Sequence, residues 1–210
     1  MLDDFQRAPL NRSERIMYAI MMVVMIGLFA CEIIVNYQPR KLAAVFFLIS
    51  WTALVAIHEL GHALMAWLCG WGVRRIVVGF GREIGRCNLW GVPMEWRMFP
   101  ISGFVQTAPL DLRSPRNKDA LIYAAGPGIE LVLAAMLTIA LGWSTMFTQT
   151  DHLGILFVQS FACAAVMGAV LNLIPMSTMS EGQWIPNDGL GIIHALKRTD
   201  SDYRELYAGD

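Results

Sequence analysis

Four long apolar runs, separated by polar loops, dominate the chain. They lie at about residues 17–37, 42–71, 120–147 and 153–176. A helix needs about 20 apolar residues to cross a hydrocarbon core of roughly 30 Å, and each run is long enough. Four such runs do not fit inside the core of a 210-residue water-soluble protein. The pattern therefore predicts an α-helical integral membrane protein with about four transmembrane helices in a lipid bilayer. The first run does not read as a cleavable signal. Its apolar part is too long, and Cys31-Glu32 is not a small-residue cleavage site.

Between the second and third runs the pattern changes. From about residue 72 to 112, glycines and prolines punctuate short strand-like stretches. Arg74–Gly81 reads as a strand entering a turn, Pro93–Phe99 alternates apolar and polar residues, and Gly103–Thr107 reads as another strand. This predicts a small membrane-associated β segment. Residues 189–198 read as a short C-terminal helix.

The loops set an orientation. The N-terminal tail, the middle loop and the C-terminal tail hold 14 of the 16 basic residues, whereas Arg40 and Lys41 stand alone on the other side. By the positive-inside rule both termini and the β segment are expected in the cytoplasm. Composition then excludes other classes. Hydrophobic residues make up 56% and charged residues 16%, and mean hydropathy is +0.48. That rules out a disordered, coiled-coil or collagen-like chain. With 16 basic against 17 acidic residues there is no basic surplus for nucleic acid. Four cysteines, none at CxxC spacing, read as reduced packing thiols rather than disulfides or a zinc ribbon.

The second run carries the chemistry. His58-Glu59-Leu60-Gly61-His62 is H-E-x-x-H. On a helix, residues four apart share a face, so both imidazoles can bind one Zn²⁺. Glu59 stands beside them as the candidate general base. Three ionisable groups within one turn of a membrane helix are costly, at about 2.5–3.5 kcal/mol for each charge. Mutual packing alone does not account for that cost. A catalytic zinc takes three protein ligands and keeps its fourth position for water. His152 falls on the opposite membrane face and His194 at the interface. Glu130 and Asp188 remain as candidates for the third ligand.

These residues resemble the site-2 proteases, zinc metalloproteases that cut within the membrane. H-E-L-G-H resembles their first motif. Asn172-Leu173-Ile174-Pro175 followed by Asn187-Asp188-Gly189 resembles their N-x-x-P…D-G motif, and Ala125-Gly126-Pro127 their A-G-P stretch. Val78–Gly81 and Pro100–Val105 resemble their β segment. The likeness runs from about residue 42 to 196. It implies His58, His62 and Asp188 as zinc ligands, with Glu59 as the catalytic base. The expected activity is hydrolysis of a peptide bond in or near the transmembrane segment of a membrane-protein substrate, in regulated proteolysis or signal-peptide clearance. Asn172 is a candidate oxyanion donor or substrate-backbone contact. Gly103, Phe104 and Val105 are candidates for pairing with an extended substrate. The resemblance also points to a bacterial inner membrane and to a minimal core without a PDZ domain.

Two departures from the family stand out. Glu130 lies near a place where the family has Asn, and reads first as a packing acid. Twelve residues separate Pro175 from Asp188, more than the family's usual spacing. Two other functions are open to the same residues: a transmembrane zinc or cation transporter, and a catalytically silent relative that binds membrane proteins. Zinc flux into proteoliposomes would mark the first. The four intact residues His58, Glu59, His62 and Asp188 weigh against the second. The oligomeric state is not readable from the sequence.

Overall fold

The computed structural model describes residues 12–180 and 183–207. Arg7, one of the basic residues behind the expected orientation, lies outside them. The chain begins with α1 (Arg12–Val35) and α2 (Leu42–Leu68). A long β hairpin follows, β1 (Trp71–Leu89) and β2 (Val92–Pro109). Next come α3 (Pro115–Leu141), α4 (Trp143–Phe147) and α5 (Leu153–Leu173). A small hairpin, β3 (Ser177–Ser180) and β4 (Gln183–Pro186), leads into α6 (Asp188–Lys197) and α7 (Asp200–Tyr207).

Among the described residues, three helical stretches are long and apolar enough to cross a membrane: Pro39–Leu68, Pro115–Leu141 and Leu153–Leu173. The apolar stretch of α1, Ile20–Val35, is shorter. Local chemistry sets where each helix stops. The second apolar run extends to Trp71, but the helix ends at Leu68 because Gly70 takes a left-handed conformation (φ +73). The run at 120–147 is two helices, because Gly142 at φ +87 breaks α3 from α4. α5 stops at Leu173, three residues short of the apolar run. Pro175 forces Ile174 into extended backbone, and Ile174 is the C-cap at ψ 115.

α2, α3 and α5 pack against one another. α5 turns Ala162, Ala164, Ala165, Gly168 and Ala169 inward, and all five are buried. Small side chains let helix backbones approach closely where burying apolar surface drives nothing, as in lipid. Leu54 of α2 and Ala134 of α3 meet this face. Large residues such as Leu48, Leu131, Val132, Ile139 and Val170 point outward.

The β hairpin covers one side of α2. Val55 and Ala63 of α2 pack with Ile76, Val78, Val92 and Met94. The hairpin turns at Trp90-Gly91, both at positive φ, which matches the twist of a two-residue hairpin loop. β1 pairs antiparallel with β2, and the register bends at several bulges. Ile76–Val78 therefore has partners on both sides, Val105 to Gly103 on one and Met94 to Trp96 on the other. The stretch Gly103–Gln106 is left as an outer strand.

Two elements have no counterpart in the sequence reading. The twelve-residue insertion forms the β3–β4 hairpin, in register from Ser177↔Pro186 to Ser180↔Gln183. α7 follows α6 after a short break. Tyr203 of α7 is fully buried against Ala66, Trp71 and Ile122. Its hydroxyl donates to Asp119 Oδ2 at 2.6 Å. Burial and this bond to the carboxylate push the Tyr203 phenol pKa up.

Candidate metal centre

The centre is built from α2, α3 and α6. His58 and His62, four apart on α2, present both Nε2 atoms to one point, 3.0 Å from each other. Asp188, the first residue of α6, reaches them from a distant part of the chain. Its Oδ2 lies 2.9 Å from His58 Nε2 and its Oδ1 3.2 Å from His62 Nε2. All three side chains are buried. Burial opposes ionisation of the Asp188 carboxyl, but the His62 and His58 imidazoles hold its pKa below the usual carboxylate range.

The other ring nitrogens fix the imidazoles. His62 Nδ1 lies 2.6 Å from the carbonyl oxygen of Ile122. A carbonyl only accepts, so Nδ1 carries the proton and Nε2 offers a lone pair. Ile122 lies one residue before Tyr123, whose carbonyl is the one that Pro127 leaves without a helical N–H partner. His58 Nδ1 faces Glu130 Oε2 at 3.1 Å, an ion-pair distance, though off the line of a hydrogen bond. Glu130 is thus buried beside the centre.

The donor set fits zinc. Tetrahedral Zn²⁺ with bonds of about 2.0–2.1 Å separates its donors by about 3.3 Å. The observed separations of 2.9, 3.0 and 3.2 Å lie close to that. Two facing imidazole lone pairs beside one carboxylate call for a cation. Two nitrogens and one oxygen, with one position left open, is the pattern of catalytic rather than structural zinc.

Glycines make room for this arrangement. A Cβ at Gly126 of α3 would collide with Nε2 of both His62 and His58. A Cβ at Gly189 would collide with the carbonyl of Leu173, so the first turn of α6 can lie on the end of α5 only with glycine there. The glycines of the A-G-P and D-G elements had no stated physical role in the sequence, and these contacts supply one. The signal for it was a glycine held next to a proline or an acid inside an apolar frame.

The insertion does not carry Asp188 away from the centre. Asn187 clasps its two ends together. Its Nδ2 donates to the carbonyl of Ile174 at 2.6 Å, and its Oδ1 accepts from the N–H of Met176 at 3.0 Å. The same oxygen caps α6 by accepting from Leu190 N–H at 3.2 Å. The twelve residues between Pro175 and Asp188 therefore leave and return at nearly one point.

Glu59 is buried one position from His58, and its Oε2 has no protein hydrogen-bond partner. Its other oxygen lies against β2: a Cβ at Gly103 would come within 2.7 Å of Oε1. Phe104 and Val105 continue the same outer strand, and all three residues line a cavity of about 790 Å³. His58, Glu59, His62, Glu130 and Asp188 also line it, and Asn172 of α5 lies half-buried in its wall. His152 and His194 are not part of the centre. His152 caps α5, and its Nδ1 accepts from Ile155 N–H at 3.3 Å.

Several known proteins are similar to this chain in sequence. A candidate zinc metalloprotease of Clostridium perfringens is 28% identical over 115 residues, which cover 50% of this chain and 34% of the relative. A second from Ralstonia nicotianae is 31% identical over 162 residues, covering 67% of this chain and 35% of the relative. The zinc metalloprotease Rip1 of Mycobacterium tuberculosis is 30% identical over 115 residues, covering 47% of this chain and 28% of the relative. The match thus spans about a third or less of each relative's own length. The pattern of peptidase family M50, the site-2 protease family, matches residues 46–180, from within α2 to β3, and the chain belongs to that family.

Proposed function

We propose that this chain is an intramembrane zinc endopeptidase that hydrolyses a peptide bond in or near the transmembrane segment of a membrane-protein substrate. One observation carries the reading. Two imidazole nitrogens and a carboxylate converge beside Glu59 inside an apolar helix bundle, with a cavity leading to them. In this reading His58, His62 and Asp188 hold the metal, the chain forms one membrane domain of four spans, and both termini face the cytoplasm of a bacterial cell.

When bound, zinc supplies a Lewis acid that polarises the scissile carbonyl and lowers the pKa of water towards about 7. Glu59 takes the proton from the attacking water and passes it to the leaving amine. Its unpartnered Oε2 is available for this transfer. The amide of Asn172 donates to the oxyanion as it develops, or holds the substrate backbone.

A helical substrate hides its carbonyls in its own hydrogen bonds, so it must unwind before attack. The outer strand at Gly103, Phe104 and Val105 offers backbone groups to an extended segment, next to Glu59. The early end of α2 moves the expected cut. His58 and His62 lie ten and six residues before Leu68, or about 15 and 9 Å at 1.5 Å per residue. Counted instead from Trp71, where the apolar run ends, they would lie roughly 13–20 Å deep.

The test is zinc content and cleavage of a single-span substrate by detergent-purified protein. Wild type and Glu59→Gln are expected to hold about one zinc per chain, and His58→Ala and Asp188→Ala far less. Only wild type should cleave. Wild-type cleavage by Glu59→Gln overturns the assigned base, and full zinc in Asp188→Ala overturns the third ligand.

A further inference from the structure

Glu130 is an acid that the hydrolytic mechanism does not use. It sits on α3 one turn beyond Gly126, and is only 3% exposed. Its Oε2 faces His58 Nδ1 at 3.1 Å, on the ring edge opposite the Nε2 that meets Asp188. Neither of these two buried atoms has a hydrogen-bond partner. Its Oε1 rests on α5, where a Cβ at Gly168 would come within 3.0 Å of it. The carboxyl is thus confined between α2, α3 and α5 and directed at one imidazole.

We infer that Glu130 is a positioning residue for the metal centre: its carboxylate takes the Nδ1 proton of His58 as an acceptor and so turns the Nε2 lone pair onto the metal. The inference rests on the zinc-site reading above. The two histidines are then oriented differently. His62 leans on the neutral carbonyl of Ile122, and His58 on a charged carboxylate. A charged acceptor raises the basicity of the imidazole more than a neutral one does. An acid that merely filled space would gain nothing from facing a ring nitrogen, and its burial would be an uncompensated cost.

The experiment compares wild type, Glu130→Met and Glu130→Gln as full-length protein in detergent. Zinc affinity is read by competition with a chromophoric chelator, and ligand geometry by the visible spectrum of the Co²⁺-substituted protein. Methionine matches the length of glutamate but cannot accept the proton. Glutamine keeps a neutral acceptor. Glu130→Met is expected to weaken zinc binding about 10–100-fold and to shift the Co²⁺ bands, while the metal-free protein melts no lower than metal-free wild type. Glu130→Gln is expected to lose less. Wild-type affinity and spectrum in Glu130→Met overturn the inference, as does a loss in Glu130→Gln equal to that in Glu130→Met. Should Glu130→Met fail to fold, Glu130→Gln decides: weakened binding supports the role and wild-type binding overturns it. A wild type that binds no zinc overturns the metal-site reading itself.

Discussion

At Gly126 a single methyl group would intrude on both histidines of the proposed centre. Helix propensity alone favours alanine over glycine inside a helix by about 1 kcal/mol. Here the added Cβ would meet Nε2 of both His58 and His62. Gly126→Ala is therefore expected to leave the helices intact and to weaken zinc binding by roughly tenfold or more, the range typical of disturbed ligand orientation. Circular dichroism and chelator competition on the same sample check both halves. Metal removal is the complementary test. Dialysis against a strong chelator is expected to abolish cleavage, and stoichiometric Zn²⁺ to restore it, because the ligands are protein side chains that stay in place. A protease that stayed active without metal would contradict the centre.

At the scale of elements, stability and metal binding are joined at Asn187 and separate at α7. Asn187 joins the ends of the β3–β4 hairpin and caps α6. Asn187→Ala removes a cap and a clasp together, and is expected to cost about 1–2 kcal/mol. Because Asp188 is the next residue, zinc affinity should fall as well. Asn187→Asp keeps the accepting oxygen and loses only the donor to Ile174, so its loss should be smaller. α7 behaves differently. Tyr203→Phe deprives the buried Asp119 of its 2.6 Å donor and is expected to cost about 1–3 kcal/mol. Arg198, 3.9 Å from Asp119, stays as a partial partner. Thermal melts in detergent should show the loss with zinc content unchanged, since Tyr203 touches no proposed ligand.

At the scale of the molecule, the helix bundle and the curled hairpin act as two walls of one cavity. α2 contributes the histidines and Glu59, α3 the backing for both rings, α5 Asn172, and the hairpin a strand edge. A substrate entering between these walls would meet the centre near the end of α2 that leads into β1. Mapping the new termini of a cleaved single-span substrate by mass spectrometry is expected to place the cut within its apolar segment, about 9–15 Å from the cytoplasmic end. A cut in the opposite, exoplasmic loop would contradict both the depth and the orientation.

The sequence by itself determined what local rules govern. Apolar runs long enough to be helices, the glycine- and proline-broken strands between them, and an H-E-x-x-H spacing that aligns two imidazoles all follow from periods of a few residues. Helix ends were legible less well, because Gly70, Gly142 and Pro175 interrupt runs whose hydrophobicity continues past them. Local spacing left both Glu130 and Asp188 open as the third acid and the family resemblance implied Asp188; the tertiary structure is what brings Asp188 to the histidines. Asp188 is 130 positions from His58, and no periodicity reports a contact at that separation. It also decided that Glu130 faces His58, and that the insertion closes on itself through Asn187. These depend on how three helices cross and on which side chains the small residues of α5 and α3 leave space for. Pair distances between remote segments are set by packing of the whole bundle, and a linear pattern holds no measure of them.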